Sequence, residues 1–345
     1  MKRKTTIYDI AAKLGLTAAT VSRALNNNPK ISLNTRKLVL DTALEMNYEQ
    51  NRLALALKSG KSYNVGVIVP RIDSNFFSSI IRGIEEELYP KGYHVIICQT
   101  HNQENIEIEK INSLVNVQVD GILMSISNAK LEENLSFNKL LKNQKTPLVF
   151  FDRKKDIKGV SSVTIDDFKG GYEATKHLIE QGCKRIAHLS NDRKLEIFRN
   201  RYLGYKQALA DNNIEFDEHL VIDTQSSVPD GRRVTKLLLN METPPDAIFS
   251  SSDFAALGAI QELQEVGLNI PEDIGVVGFS NEPFTRFMEL TTISTVDQFP
   301  LEMGRMAAQV FLEEVSYTQD NKITKNVVLT PELIIRKSSL RTKKG

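Results

Sequence analysis

From residue 63 onwards, short runs rich in Val, Ile and Phe alternate with longer runs that have helical periodicity. Strands are predicted over residues 65–70, 94–99, 121–125, 147–151, 163–166, 185–190, 247–251 and 274–279. Helices are predicted between most of them, for example over residues 77–88, 171–180, 201–210, 230–239 and 255–266. Strands that alternate with helices form parallel sheets, which bind ligands at the carboxyl ends of their strands. Two sets of about four or five such units predict two similar lobes, with a ligand site in the cleft between them.

The first sixty residues have a different pattern, with three short helical segments and no strand. Thr6, Thr17 and Ser32 each stand directly before a helical pattern, where their hydroxyl groups can cap the first turn. The helices are predicted over residues 7–14, 18–26 and 33–47. The turn between the first two helices is short and contains Gly15, which is typical of a helix-turn-helix. The chain is therefore predicted to combine an all-α helix-turn-helix headpiece with an α/β two-lobed body.

The charge is divided unequally between these two regions. Residues 1–60 contain 10 Lys and Arg against 4 Asp and Glu, a net charge of +6, whereas the remainder has a net charge of −5. The net charge of the whole chain, +1, hides this division. A basic helical end on a weakly acidic body indicates an anion-binding region attached to a domain with another task.

Other features exclude several classes of protein. No apolar stretch approaches the roughly 18 residues of a membrane helix, and the N-terminus lacks the apolar core of a signal peptide. Cys98 and Cys183 are far apart and do not have the spacing of a zinc site or a disulfide framework. We therefore expect a cytoplasmic protein with no membrane contact, no metal and no cofactor.

The sequence also lacks a recognisable catalytic motif. Neither a Walker A sequence, a glycine-rich dinucleotide fingerprint nor an HExxH motif is present, and residues 278–282 lack the last glycine of a nucleophile elbow. We expect that the protein is not an enzyme. Two alternatives stay open: a small-molecule binding protein without a DNA role, and a sugar- or nucleotide-modifying enzyme on an α/β fold.

The second helix of a helix-turn-helix enters the major groove of DNA, led by its N-terminal residues. Arg23 can donate two hydrogen bonds to a guanine, and the hydroxyl groups of Thr6, Thr17 and Ser22 can donate to phosphates. The candidate DNA-contacting residues from this argument are Thr6, Thr17, Ala18, Ala19, Thr20, Ser22 and Arg23.

Two segments of this region, TIYDIAA at residues 6–12 and ATVSRALN at residues 19–26, closely resemble the headpiece of the lac repressor (LacI/GalR) family. The resemblance continues through residues 47–48 and 51–54. It implies a sequence-specific transcriptional repressor, and it adds Tyr8 and Asn26 to the candidate DNA contacts. Because a helix-turn-helix of this kind reads a two-fold symmetric site, a homodimer on pseudo-palindromic operator DNA is expected.

Residues 51–58 form a short apolar helical segment, which is too short to be stable alone. In the family this segment is a hinge helix that orders on the operator, and its leucine wedges into the minor groove. By position that leucine is Leu57, with Ala54 at the contact between the two hinge helices and Asn51 at the start. Gln50 stands where the family often has Pro, so the start of the hinge is less rigid here.

The body resembles the periplasmic sugar-binding-protein fold that this family shares. Matching stretches include NFF at residues 75–77, FDR at residues 151–153, RYLGY at residues 201–205 and VVGF at residues 276–279. The predicted divisions are a headpiece at residues 1–50, a hinge at 51–62 and a body at 63–340. The resemblance implies one lobe from residues 63–163 with 292–323 and another from residues 164–291 with 324–340.

Several side chains of the body are expected to face the cleft because they end strands or begin helices. The candidate effector-binding residues are Phe76, Phe77, Asp152, Arg201, Asp253 and Ser280. Aromatic rings can stack on a sugar or a base, while carboxylates and Arg bind hydroxyl or carboxyl groups. Core packing is an alternative for Phe76 and Phe77. Ser280 stands where sugar-binding relatives often have an aspartate, which leaves the ligand class open.

The expected effector is a sugar or sugar derivative that acts as an inducer, and a purine or another metabolite is the alternative. A ligand in the cleft would change the angle between the lobes, and through the hinge it would change the affinity for DNA.

Overall fold

The computed structural model describes residues 4–49, 60–127, 135–142, 146–289, 291–316 and 323–341. The chain divides into two compact units, residues 1–62 and residues 63–345. The three hinge residues singled out from the sequence, Asn51, Ala54 and Leu57, lie outside the described residues.

The headpiece consists of three helices, α1 (Ile7–Leu14), α2 (Ala18–Leu25) and α3 (Leu33–Glu45). Their N-caps are Thr6, Thr17 and Ser32, and each side chain accepts a hydrogen bond from the first turn. Gly15 ends α1 with a φ of 64°, a left-handed conformation that glycine adopts without strain. The small apolar core contains Ile10, Ala11, Val21, Ala24, Val39 and Ala43. The sequence analysis extended α2 by one residue and α3 by two, as is usual at frayed helix ends.

The described part of the body has twelve strands and eight helices. The strands are β1 (Asn64–Val69), β2 (His94–Gln99), β3 (Gly121–Met124), β4 (Leu148–Phe151), β5 (Ser161–Ile165), β6 (Ile186–Ser190), β7 (Val221–Asp223), β8 (Ala247–Ser250), β9 (Gly275–Phe279), β10 (Ser294–Asp297), β11 (Asn326–Leu329) and β12 (Glu332–Ile334). The helices are α4 (Asn75–Leu88), α5 (Glu104–Asn116), α6 (Leu135–Lys142), α7 (Asp167–Glu180), α8 (Glu196–Asp211), α9 (Val228–Leu239), α10 (Asp253–Glu265) and α11 (Pro300–Ser316).

The strands form two six-stranded sheets, one in each lobe. The order is β11-β5-β4-β3-β1-β2 in the first lobe and β12-β10-β9-β8-β6-β7 in the second. All pairs are parallel except β10 with β12. In both sheets the strand order reverses direction at the first strand of the lobe, β1 or β6. A ligand crevice is expected there, at the carboxyl ends of the strands.

The chain crosses between the lobes at three places, and two of the predicted boundaries are wrong. The crossings follow β5, β10 and β11, because β5 and β11 belong to the first sheet whereas β10 belongs to the second. The boundary expected near residue 292 is therefore too early, since β10 pairs with β9. The boundary expected near residue 324 is also too early, since β11 pairs with β5. The boundary expected at residue 163 falls inside β5.

The strands missing from the sequence analysis, β7, β10, β11 and β12, have three or four residues each, and β7, β11 and β12 contain no fully buried residue. Such segments become strands through pairing with a neighbour rather than through their own pattern. The helices that flank the site pack closely. A Cβ atom at Gly171 of α7 would lie 2.2 Å from the carbonyl oxygen of Arg201 on α8, so only glycine permits this approach.

Within the described ranges, we find no helix with both the length and the apolar composition that crossing a bilayer requires.

Candidate functional site

Helix α2 has one buried and one exposed face. Val21 and Ala24 are buried in the headpiece core, whereas Ala19, Arg23 and Asn26 are exposed. Residues four and three positions apart lie on the same side of a helix, so these three side chains form one continuous exposed face. The structure therefore places the predicted base-reading residue, Arg23, on an accessible surface.

The remaining headpiece residues lie around the start of the helices. Tyr8 on α1 is 70% exposed, and the hydroxyl group of Thr17 accepts a hydrogen bond from the backbone N–H of Thr20 at 3.2 Å. The hydroxyl group of Thr6 donates to Asp9 at 2.7 Å, and the backbone N–H of Thr6 donates to the same carboxylate at 2.8 Å. Ala18, Thr20 and Ser22 are half-buried. Thr6 and Thr17 therefore stabilise the helix ends as well as facing outwards.

A cavity of about 980 Å³ lies between the two lobes, at the carboxyl ends of both sets of strands. All six candidate effector residues line it, namely Phe76, Phe77, Asp152, Arg201, Asp253 and Ser280. They come from five places along some 200 residues of sequence. The fold thus brings them together where the strand order of each sheet reverses.

On the first-lobe side, Phe76 and Phe77 occupy the first turn of α4. Their ring centroids are 5.1 Å apart with the ring planes at 76°, and both side chains are buried. Asp152 follows β4 with a φ of 59°, and its carboxylate accepts a hydrogen bond from the hydroxyl of Ser125 at 2.8 Å. Burial raises the pKa of Asp152, while Arg153 and Ser125 oppose this shift. A non-glycine residue with this backbone conformation persists only when its surroundings fix it, which is common at binding sites.

Beside Asp152 lies a buried polar cluster that the sequence analysis did not identify. Arg153 donates to the side-chain oxygen of Asn102 at 2.8 Å, and the carboxylate of Glu107 accepts from the backbone N–H of Ser127 at 2.6 Å. Burial raises the pKa of Glu107 to about 7. Within the described residues, four buried polar atoms of this region have no hydrogen-bond partner: Thr100 Oγ1, Glu107 Oε1, Ser127 Oγ and Arg153 Nε. In the sequence, the feature that could have indicated this cluster was the position of Arg153 directly after Asp152 in the FDR stretch.

On the second-lobe side, Arg201 connects several segments. Its Nε donates to Asp167 at 2.8 Å, its Nη1 to the carbonyl of Ser251 at 3.0 Å and its Nη2 to Gln298 at 3.1 Å. The guanidinium carbon lies 3.7 Å from the ring centroid of Phe279. Burial raises the pKa of Asp167 to about 7, opposed by Arg201. Arg201 therefore orders the wall of the cavity in addition to lining it.

Asp253, the first residue of α10, is also engaged internally. One carboxylate oxygen accepts from the hydroxyl of Thr295 at 2.6 Å and the other from the backbone N–H of Glu282 at 2.8 Å. A Cβ atom at Gly278 would lie 2.2 Å from this carboxylate, so a side chain there would displace Asp253 from its present contacts. Burial raises the pKa of Asp253 to about 6. The contacts of Asp253 hold the loop that contains Ser280.

Ser280 and its neighbour Gln298 complete this wall. Ser280 has a φ of 121°, and its hydroxyl accepts a hydrogen bond from the side-chain amide of Gln298 at 2.9 Å. Gln298 and Glu282 also line the cavity, and neither was identified from the sequence. Gln298 follows β10, a strand that the sequence pattern did not predict, so no signal marked it. Glu282 was visible only as a residue two positions after Ser280.

Two serines that begin helices add hydroxyl groups to the cavity. Ser74 and Ser252 are the N-cap residues of α4 and α10, and both line the cavity. Neither hydroxyl makes a capping hydrogen bond. Serines at the starts of two predicted helices were the sequence signal for these positions. Among the described residues, no group of three or more His, Cys, Asp or Glu side chains is arranged to hold a metal ion.

Comparisons with known proteins agree with both parts of the structure. Residues 6–51 match the family described as bacterial regulatory proteins, lacI family. Residues 62–337 match the family described as periplasmic binding proteins and sugar binding domain of LacI family. The HTH-type transcriptional repressor PurR of Haemophilus influenzae is 32% identical over 336 residues, which cover 96% of this chain and 98% of that protein.

Two solved structures are similar to the chain. A LacI family transcriptional regulator from Enterococcus faecium with bound ribose has 29% identity and a TM-score of 0.72, and the match covers 81% of this chain and 100% of that one. The lac repressor dimer bound to operator and the anti-inducer ONPF has a TM-score of 0.87 over 98% of this chain and 100% of that one. Its 24% identity makes this a likeness of fold.

The predicted family and the predicted fold are both confirmed by these matches. The chain belongs to the LacI family of bacterial regulatory proteins, and it is a DNA-binding transcriptional regulator with a helix-turn-helix headpiece and a two-lobed, periplasmic-binding-protein-like body.

Proposed function

We propose that this protein is a homodimeric repressor in the cytoplasm whose affinity for operator DNA is controlled by a sugar-like molecule in the cleft. The observation that carries this proposal is the cavity of about 980 Å³ lined by polar and aromatic residues of both lobes. A ligand that touches both lobes stabilises one angle between them. It changes the DNA-competent population only by the difference in its affinity for the two states.

Operator recognition is assigned to the exposed face of α2. Arg23 would read a guanine, because its guanidinium can donate two parallel hydrogen bonds in the major groove. Ala18 and Ala19 would approach the base edges, while Thr6, Tyr8, Thr17, Thr20, Ser22 and Asn26 would contact phosphates or adjacent bases. Two copies of the headpiece would bind the two halves of a pseudo-palindromic operator.

The hinge is assigned to residues 51–62, with Asn51, Ala54 and Leu57 at the minor groove. We expect Leu57→Ala to weaken operator binding and to reduce DNA bending, because a wedged leucine unstacks a base step. Circularly permuted operator fragments in a gel-mobility assay measure the bend. An unchanged bend angle in the variant would exclude the wedge.

We assign the effector to the sugars because aromatic side chains line the cavity together with hydroxyl and carboxylate groups. Phe76 and Phe77 belong to the hydrophobic core and also line the cavity together with Asp152, a combination that suits a polyol with apolar C–H surfaces. The similar regulator with bound ribose supports this ligand class. We expect the effector to act as an inducer that releases the operator.

A purine is the second candidate effector. Its support is the 32% identity, over 96% of this chain, with a repressor named PurR. The phenylalanine rings of the cavity could also stack on a base.

The test is a thermal-shift screen of the full-length protein with sugars, sugar acids, sugar phosphates and purine bases, followed by operator-release measurements with each binder. A ligand of the native state raises the melting temperature by mass action. A sugar that stabilises the protein and releases operator DNA is the expected result, whereas release by purine bases alone would select the second candidate. Duplex DNA binding with no salt dependence would contradict the headpiece assignment, because phosphate contacts release counterions.

A further inference from the structure

Glu282 is an acidic residue of the cavity that no internal ion pair explains. It lies on the second lobe, two residues after Ser280, and its side chain lines the cavity while only 5% of the residue is exposed. Among the described residues, no ion pair of 4 Å or less includes its carboxylate. A buried carboxylate without a cation partner is costly unless another group compensates it.

Three other acidic residues that line the cavity have partners within the chain. Asp73 forms an ion pair with Arg71 at 2.9 Å, and Asp230 forms one with Arg233 at 2.7 Å. The carboxylate of Asp253 accepts hydrogen bonds at both oxygens. Asp73 and Asp230 are therefore paired with arginines, whereas the carboxylate of Glu282 has a backbone N–H, that of Phe76, as its compensating donor.

The groups that face Glu282 come from both lobes. Burial and, to a smaller extent, the nearby Asp253 raise its pKa to about 7, opposed by Arg71 and the backbone N–H of Phe76. Arg71 and Phe76 belong to the first lobe, so the carboxylate of Glu282 reaches across the cleft towards the start of α4. A ligand that contacts both lobes on this side of the cavity is within reach of this carboxylate.

Ser280 cannot supply the same chemistry. Its hydroxyl is already engaged by the side-chain amide of Gln298. A hydroxyl group also lacks the two acceptor oxygens with which a carboxylate holds neighbouring hydroxyls of a polyol. Glu282, two residues after Ser280 in the same loop, has a carboxylate and lines the cavity.

The arginines of the cavity do not favour an anionic ligand either. Arg71, Arg153, Arg201 and Arg233 each lie within 4 Å of an aspartate oxygen. Each of these arginines thus has an acidic neighbour inside the chain, although the Nε of Arg153 makes no hydrogen bond and Lys194 also lines the cavity. An anion beside Glu282 and Asp253 would meet two carboxylates in a poorly hydrated site, where like charges repel most strongly.

We propose that Glu282 is the acceptor for ligand hydroxyl groups on the second-lobe side of the cavity, in place of an acidic residue at position 280, and that it selects an uncharged polyol over an anion. The proposal rests on the proposed function, since it assigns the specificity of the same cleft. It defines the effector as a neutral sugar rather than a sugar acid or a sugar phosphate.

The experiment compares full-length wild type, Glu282→Gln and the control Glu272→Gln by thermal shift and calorimetry. Glu272 is an exposed residue of the same lobe and does not line the cavity. The probes are glucose, galactose, ribose and cellobiose, together with glucuronate, galacturonate and glucose 6-phosphate. A fourth variant, Ser280→Asp with Glu282→Gln, restores a carboxylate at the alternative position.

We expect at least one neutral sugar to stabilise the wild type and the anionic sugars to have no effect. Glu282→Gln should weaken binding of that sugar by about tenfold or more, because one acceptor oxygen is replaced by an amide NH2 group that can only donate. The double variant should recover part of the affinity, and Glu272→Gln should bind as the wild type does. Melting temperatures of the ligand-free variants verify that each is folded.

Three results would overturn the proposal: an unchanged affinity of Glu282→Gln for the neutral sugar, a wild type that prefers an anionic sugar, or no binding of any neutral sugar. These results are separable from a failure of the proposed function. If glucuronate or glucose 6-phosphate binds and releases operator DNA, sugar control of DNA binding stands and only the role of Glu282 is wrong. If no sugar alters operator binding, the proposed function itself fails.

Discussion

The headpiece and the body position their functional side chains in opposite ways. In the headpiece, the candidate contacts project from one short helix, and Ala19, Arg23 and Asn26 are exposed above a small core. In the body, Asp152, Arg201 and Asp253 are buried and are held by hydrogen bonds from distant segments. The first kind of site is local in sequence, whereas the second exists only when both sheets have formed.

This difference has an energetic consequence. Substitution of an exposed headpiece side chain removes a contact with DNA and leaves the fold intact. Substitution of a buried cavity residue leaves its former partners without compensation, so stability and ligand binding change together. Substitutions in the two regions should therefore differ in whether stability changes together with binding.

Arg201→Ala should have the largest effect on stability. We expect the body to lose about 3–5 kcal/mol of unfolding free energy, because Asp167 would remain buried without its cation. Chemical denaturation of the full-length protein measures this loss. Below the melting temperature, operator binding should persist while the response to effector is lost.

Arg199→Ala is the matched control, since Arg199 lies on the same helix and is exposed. It should leave stability within about 0.5 kcal/mol of wild type. The double substitution Asp167→Asn with Arg201→Met, which removes both charges, should recover much of the loss. Equal stability of wild type and Arg201→Ala would break the contrast between buried and exposed sites.

Arg23→Ala should act on recognition alone. We expect the difference in binding free energy between operator and random DNA to shrink by about 1–3 kcal/mol. This is the usual contribution of one bidentate contact to a base pair. The melting temperature should not change, because Arg23 is exposed. Fluorescence anisotropy with both DNAs at one salt concentration measures the ratio.

Lys37→Ala, an exposed cation on α3, controls for loss of charge. It should weaken binding to the two DNAs equally or not at all. If Arg23→Ala also lowered both affinities by the same factor, Arg23 would contact only phosphates.

The buried acids of the body should make its stability depend on pH. Burial raises the pKa of Glu107 to about 7, so the folded state holds a proton that the unfolded state loses near its ordinary value of 4.5. The stability that the protonated Glu107 gives to the folded state is fully present below pH 4.5 and is lost as the pH rises towards 7. Glu107→Gln should therefore reduce the loss of unfolding free energy between pH 5.5 and pH 7.5 by about 1–2 kcal/mol.

Urea denaturation at the two pH values measures this difference. Glu109→Gln on the same helix is the control, because Glu109 is exposed and should leave the pH dependence as in wild type. A Glu107→Gln profile that parallels wild type would mean that Glu107 is ionised in the folded protein.

The helix caps should show the smallest effect. Ser32→Ala removes the capping hydrogen bond to Thr35 and should cost the headpiece about 1 kcal/mol. Ser74→Ala should change stability much less, because the Ser74 hydroxyl makes no capping bond and lines the cavity. Thermal unfolding of both variants measures the contrast, and equal costs would show that Ser74 has a capping role.

The sequence could predict the headpiece almost completely, because its determinants are short in range. The caps at Thr6, Thr17 and Ser32 and the turn at Gly15 specify three helices within a few residues of each other. The eight strands predicted in the body were also found, since buried parallel strands are continuous apolar runs. The four strands that the pattern missed are short, and β10, β11 and β12 lie at the crossings between the lobes.

By itself, the sequence determined the two-part architecture, the family and six of the residues that line the cavity. Only the tertiary structure decided how those residues are used. It showed that Arg201 and Asp253 hold the walls through Asp167 and Thr295, and that Glu282 and Gln298 share the cavity with Ser280. The physical reason is that helix caps and apolar runs act over a few residues, whereas burial and the pairing of charges depend on segments that folding alone brings together.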